Sequence, residues 1–551
     1  MKPAGSRAVV LTLAGVVFLG AILRLNEYLG NRPLWIDELM LALNIGRRSF
    51  AGLLTSLDYE QTAPLLFLWS VKATTVFAGM NEYALRAIPL VAGVLLPWMT
   101  WRMARALAGT ATGLIAAALA AVAVPLIYYS AEVKPYGTDA LVGAALLLLA
   151  LRTRVAPDRT ATWWHLVVAG LLGLLAALPA PFLLAGGIAA LLGDPRIRAE
   201  AALRKRLALL TVVWSLAIII LYATVYRAGA ANPYLRRFWE GTFLIPGSGD
   251  FSARLYAFGT ALAFPLTPLP GGLPLRWSLA LLAVGLLLLA RRAGLSGALL
   301  VGVPFVAVAG ASALARYAIG GRLLLVLAPG LFVLVAAPLA ELLRLARAGE
   351  ARAGGIGVLL VLAAAAPKLV ANGRAPIVRE GGRDAARLIV RSAADPVYVL
   401  ASSLPAWAYY STSWDRPDYA RLDRYARLAR GSGPSAPNDL LPVHGSDSAA
   451  ASRTAVSAGR LELIGFRSGL SYREPAGITR ASSPADWAPR EADRIAQAAQ
   501  PSLWIYGAHW VQRELPALRE ELYRRGFSAI PLQQETAGVA LRVRAGRSGP
   551  R

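Results

Sequence analysis

Between residues 8 and 371 the chain is a succession of apolar stretches, most of them near the length that crosses a bilayer. Hydrocarbon offers no water to an unpaired backbone N–H or C=O, so unbroken apolar stretches of this kind must be helical. The expected spans are residues 8–25, 87–103, 111–128, 138–151, 163–178, 180–193, 207–226, 274–290, 294–314, 322–341 and 355–371. The fold class that follows is an all-α polytopic membrane domain of about 11 transmembrane helices, residues 1–371, with a more polar segment behind it.

Composition narrows the chemistry. Charged residues make up 16% of the 551, against about 25% in a typical soluble protein. With no cysteine, disulfides and thiol catalysis are excluded. The three histidines, His165, His444 and His509, share no metal-ligand spacing, which argues against a structural zinc site. A net charge of +25 would suit nucleic acid, but much of the arginine lies in short loops between apolar stretches, where membrane topology accounts for it. The amino terminus has the outline of a signal peptide, yet Leu25-Asn26-Glu27-Tyr28 stands where a small-residue cleavage site would be, so it reads as a retained first helix.

Lys and Arg concentrate in cytoplasmic loops. With the amino terminus inside, every second gap is basic. One side collects Lys2 and Arg7, Arg102 and Arg105, Arg152, Arg154 and Arg159, the run from Arg196 to Arg206, Arg291 and Arg292, and Arg344 to Arg352. The pattern requires residues 64–77, short and carrying Lys72, to lie at the outer interface rather than cross. Residues 251–270, with Arg254 and three prolines, read the same way. An odd number of spans then puts residues 372–551 outside. There, strands at 395–400, 503–506 and 539–543 and a helix at 514–525 suggest a small extracytoplasmic α/β domain. Residues 430–455, rich in Gly, Ser, Pro and Ala, read as a flexible insert.

Polar residues gather on the outer side. The first outer loop holds Trp35-Ile36-Asp37-Glu38, Asp58-Tyr59-Glu60-Gln61 and Glu82 to Arg86; the second holds Glu132, Lys134 and Tyr136; the fourth holds Arg316, Tyr317 and Arg322. Carboxylates beside a bilayer are costly unless wet, paired or functional. The set suits group transfer from a lipid phosphate: cations bind the leaving phosphate and a carboxylate deprotonates the attacking hydroxyl.

In these motifs the chain resembles the GT-C glycosyltransferases, in particular the bacterial branch related to protein O-mannosyltransferases and to the lipid A aminoarabinose transferase. The likeness rests on Trp35-x-Asp37-Glu38, Gln61-Thr62-Ala63-Pro64-Leu65, Phe77-Ala78-Gly79 leading to Glu82 and Arg86, Tyr129-Ser130-x-Glu132-x-Lys134-x-Tyr136, and Arg316-Tyr317 with Gly321-Arg322-Leu323 and Pro329. It covers residues 1 to about 371. The resemblance implies an inverting glycosyltransferase in a bacterial inner membrane, using a polyprenyl-phosphate sugar at the outer face. It implies Asp37 as catalytic base, with Glu38 supporting it or sharing a divalent cation with it. Lys134, Tyr136, Tyr317 and Arg322 would bind the lipid phosphate, with Glu60, Gln61, Arg86, Glu132 and Arg316 in the wider substrate-binding set. The chain departs from the family at Ala63-Pro64, where two prolines are frequent, and at Lys134, where an arginine is frequent. The second departure keeps the charge and loses bidentate geometry.

Plainer readings stand beside these. Asp37 could be a helix N-cap, and Lys134 and Tyr136 could be interfacial anchors. For the whole chain, a transporter or flippase of lipid-linked sugars and a non-catalytic scaffold are the alternatives. A transporter would place charge near the midplane and show internal repeats, whereas the spans here are nearly free of charge at their centres. A scaffold leaves the cations of the second and fourth outer loops without a role. The acceptor, whether lipid, glycan or protein, is not readable from the residues.

Overall fold

A computed structural model describes residues 4–244, 251–266, 275–346, 349–374, 381–392, 395–430, 454–457, 460–464, 473–474, 477–478, 484–499, 501–509, 511–534 and 538–545. Apart from its margins, the insert expected at 430–455 lies outside the described residues.

The bundle is assembled around a bent helix. Helix α1 (Ala4–Leu29) packs beside α4 (Glu82–Ala108), which follows α2 (Ile36–Arg47) and α3 (Leu65–Ala78). Next come α5 (Thr110–Val122) and α6 (Val124–Tyr128), which the chain joins with a 58° bend. The cause is Pro125, which has no N–H to give the carbonyl of Ala121 four residues back. Arg24 of α1, fully buried, repairs the break by donating to Ala121 O at 2.9 Å and Ala120 O at 2.8 Å. A cation at the carboxyl end of α5 also suits that helix's dipole.

Helices α7 (Tyr136–Val155), α8 (Thr160–Ala176) and α9 (Ala180–Gly193) follow, then Ala201–Leu221, Leu275–Ala313, Ala328–Leu345 and Glu350–Arg374. Each expected span falls on helix. Within Leu275–Ala313 the chain reverses at Gly294, where φ is 71°, a value that favours glycine. The two arms fold back on each other, so that Gly302 faces the Leu286 side chain. Among the described residues, six helices are long and apolar enough to cross a membrane, or seven with the bent pair taken as one span; α3, α8 and α9 are shorter apolar helices. The sequence-based count of about 11 is larger because it takes the two arms around Gly294 separately and includes α8, α9 and α7, the last of which carries Asp139, Arg152 and Arg154.

The basic loops meet at one end of the bundle. Arg344 donates to Ala108 O, Arg154 to Ala293 O, Arg196 to Arg154 O and Arg206 to Pro157 O. Helix α4 runs from that end to Arg86 at the other, a length of about 40 Å for 27 residues.

At the Arg86 end sits an α/β sandwich. Its main sheet contains β1 (Val397–Val399), β2 (Thr454–Ser457), β3 (Arg460–Ile464), β6 (Ser502–Gly507), β7 (Phe527–Gln534) and β8 (Val539–Ala545) in the order β2-β3-β1-β6-β8-β7; β4 (Arg473–Glu474) and β5 (Gly477–Ile478) form a separate pair. Strand β1 runs parallel to β3 and β6, and the outer pairings are antiparallel. Alternation along the strands divides two cores. Tyr398, Leu503 and Ile505 face helices Pro484–Ala498 and Val511–Arg524, while Val397, Val399, Trp504 and Tyr506 face helices Arg383–Arg391, Leu404–Tyr410 and Tyr419–Arg430. The second core does not stop at the sheet. It continues into Leu34, Leu39, Leu41 and Phe67 of the membrane domain.

Candidate active site

Two adjacent acids open α2, and they point apart because successive residues on a helix are about 100° apart. Glu38 is fully buried. Its Oε1 accepts from Arg86 Nε at 3.0 Å and from the Val133 amide at 2.8 Å; its Oε2 accepts from Arg86 Nη2 at 2.9 Å and from the Trp35 amide at 3.3 Å. Arg86 also donates to Arg32 O at 2.8 Å. These bonds join the starts of α2 and α4 to the second polar loop.

Asp37 keeps a quarter of its side chain exposed and faces Arg322, whose Nη1 lies 3.4 Å from Asp37 Oδ2. Arg322 sits at the start of a 3-10 turn, Gly321–Leu327. Its guanidinium is ringed by Trp35 at 5.6 Å, Tyr136 at 5.7 Å and Trp239 at 5.5 Å. Such a cage holds a weakly hydrated planar cation well. Trp239 comes from the third loop and lies flush on Gly320, and the Ile319 amide donates to Thr242 O at 3.1 Å beside it.

Lys134 is buried, with its Nζ donating to Gln61 Oε1 at 2.8 Å. Gln61 reaches it from a turn in which Tyr59 and Glu60 both hold positive φ, 59° and 56°. That conformation costs non-glycine residues of order 1–3 kcal/mol each. Burial lowers the Lys134 ammonium below the ordinary lysine range; Asp37 pulls it back up and Arg322 pushes it down again. The group is therefore a desolvated cation close to the Asp37–Arg322 pair.

The other expected residues are placed differently. Glu60 accepts from Asn232 Nδ2 of the third loop, which ties that loop down with help from the Tyr226 hydroxyl, acceptor of the Leu65 amide at 3.2 Å. Asp58 pairs with Arg47 and Arg48. Glu132 is fully buried, 4.0 Å from Arg32. The Tyr317 hydroxyl donates to Leu323 O at 2.8 Å, and its ring meets Phe182 edge-on, so it shapes the Arg322 turn. Arg316 is exposed. Asp37, Gln61, Lys134, Tyr136 and Arg322 are brought together; Glu38, Arg86, Glu132 and Tyr317 brace them from behind.

A divalent cation does not fit this donor set. All the lone-pair directions of Glu38 are taken, and Asp37 faces Arg322 with the Lys134 ammonium nearby. Among the described residues no group of three or more His, Cys, Asp or Glu side chains could hold a metal.

Sequence reasoning missed Trp239, Arg32 and Tyr410. Trp239 had a signal, an aromatic beside Arg236 and Arg237 in the loop expected on the outer side. Tyr410, whose hydroxyl accepts from the Leu34 amide at 2.7 Å, had none.

Residues 62–223 match the family described as dolichyl-phosphate-mannose-protein mannosyltransferase. No curated protein matches the chain. Among solved structures, ArnT from Cupriavidus metallidurans bound to undecaprenyl phosphate is similar in fold at 16% identity, with a TM-score of 0.55 and coverage of 98% of this chain and 99% of that one. The apo form of that protein matches at 15% identity with a TM-score of 0.53 over the same shares. The likeness runs the full length of both chains, the carboxyl-terminal sandwich included.

Proposed function

We propose that this chain, a membrane glycosyltransferase of the GT-C fold, moves a sugar from a polyprenyl-phosphate donor to an acceptor hydroxyl, with inversion, at the outer face of a bacterial inner membrane. The observation that carries the reading is the convergence of Asp37, Lys134 and Arg322 from three separate segments, with the Arg322 guanidinium ringed by Trp35, Tyr136 and Trp239. The placement outside rests on the basic loops clustering at the opposite end.

In this reading the acceptor hydroxyl attacks the anomeric carbon, the bond from that carbon to the phosphate oxygen breaks, and Asp37 takes the hydroxyl proton. The electron pair of the broken bond leaves on the lipid phosphate. Lys134 and Arg322 neutralise it, the electrostatic contribution expected to be largest in such a transfer. Tyr136 and the two indoles form apolar walls for the sugar or the first isoprene units. Residues 1–371 would carry the chemistry and residues 372–551 the acceptor side. ArnT, the fold relative, binds undecaprenyl phosphate, and the same lipid class is the donor carrier assigned here.

The test is transfer of radiolabelled sugar by the purified protein from a panel of polyprenyl-phosphate donors. Turnover with at least one donor supports the reading. Movement of intact donor across vesicles without transfer would replace it with lipid transport.

A further inference from the structure

We infer that Tyr410, supplied by the carboxyl-terminal domain, is a positioning residue for Asp37 and Trp35, so that this domain is a working part of the active site. The inference rests on the proposed transferase reading and adds a residue to it.

The stretch leading into α2 is held from two directions. Glu38 accepts from the Trp35 amide, and one residue earlier the Tyr410 hydroxyl accepts from the Leu34 amide at 2.7 Å. Leu34 is fully buried, so no water could replace that acceptor. Trp35 is extended, with φ −84° and ψ 169°, and caps the helix that presents Asp37. A shift of the Leu34 peptide therefore moves the indole that stacks on Arg322 and the carboxylate that faces it.

The same domain grips the other end of α2. The Trp414 ring lies so close to Gly46 that a Cβ there would come within 2.6 Å, and Asp423 pairs with Arg47. To the side, Arg383 donates to Asn31 O at 3.0 Å and pairs with Glu82 at 3.2 Å. Helix α2 is thus clamped between the Glu38–Arg86 pair in the membrane domain and the Leu404–Tyr410 helix. Of the contacts that the carboxyl-terminal domain makes here, the Tyr410 bond is the nearest in sequence to Asp37.

The experiment compares full-length wild type, Tyr410→Phe and Asp423→Asn in sugar transfer, donor binding and thermal unfolding. Tyr410→Phe keeps the ring and removes the acceptor. Its kcat should fall about tenfold, the size of one lost hydrogen bond, with donor KM close to wild type and a modest drop in unfolding temperature from the stranded Leu34 amide. Asp423→Asn breaks a docking pair distant from Leu34 and should keep wild-type kcat. Unchanged kcat in Tyr410→Phe, or a loss matched by Asp423→Asn, overturns the inference. Hydrogen exchange on wild type supplies a second measurement that needs no variant: the Leu34 amide should exchange as slowly as the amides of β1 and β6, and fast exchange would overturn the coupling. Absence of turnover in wild type would count against the transferase reading alone, because the exchange measurement still decides whether the Leu34–Tyr410 bond exists.

Discussion

The Glu38 carboxylate grips Arg86 through both oxygens, Oε1 on Nε at 3.0 Å and Oε2 on Nη2 at 2.9 Å, with both side chains buried. Its neighbour Asp37 is a quarter exposed and turns towards Arg322. One acid of the pair builds the site and the other faces it.

Glu38→Gln should therefore unfold what Asp37→Asn leaves intact. Removing one charge of a buried ion pair strands the other, at a cost of about 3–5 kcal/mol. Thermal unfolding in detergent should show a large drop for Glu38→Gln and little change for Asp37→Asn.

Arg322→Lys retains the charge and loses the planar cation among three rings. Steady-state kinetics should show kcat/KM down about 100-fold, within the range for losing one donor to a developing anion.

Lys134 gives the site a pH limit. Its ammonium loses its proton below the ordinary lysine range because it is buried. The charged form is the one that binds phosphate, so donor affinity should hold at lower pH and decline as pH rises through the lowered value. Lys134→Arg, a cation at every accessible pH, should abolish that alkaline decline in a binding titration. For stability the sign is opposite. The buried ammonium costs stability below its folded value, and the cost fades as pH climbs from there to the ordinary lysine range.

Arg24→Leu should destabilise the bundle. It leaves the carbonyls of Ala120 and Ala121 at the Pro125 bend without the guanidinium. Each unsatisfied buried acceptor costs about 1–3 kcal/mol, so the unfolding temperature should fall while donor affinity in the folded fraction is kept.

Much of this was readable in the residues. Apolar runs located the helices because bilayer thickness and backbone satisfaction leave few alternatives, and Asp37, Lys134, Tyr136 and Arg322 were legible as polar groups placed against the grain of a membrane. Which adjacent acid faces Arg322 was not. Asp37 and Glu38 look alike in one dimension, and only the partner choice of Arg86 separates them. Tyr317 carried the right chemistry for phosphate, yet its hydroxyl is spent on Leu323 O. Arg316 stands next to it but points to solvent. Tyr410 joins the site through domain packing, which has no local signature, while Trp239 had only its aromatic and basic neighbours to point to it.

The most direct measurement is sugar transfer by Asp37→Asn against wild type, with donor affinity measured on both. Loss of turnover with donor affinity retained is the predicted result. Turnover equal to wild type would contradict Asp37 as the base, and with it the mechanism built on its contact with Arg322.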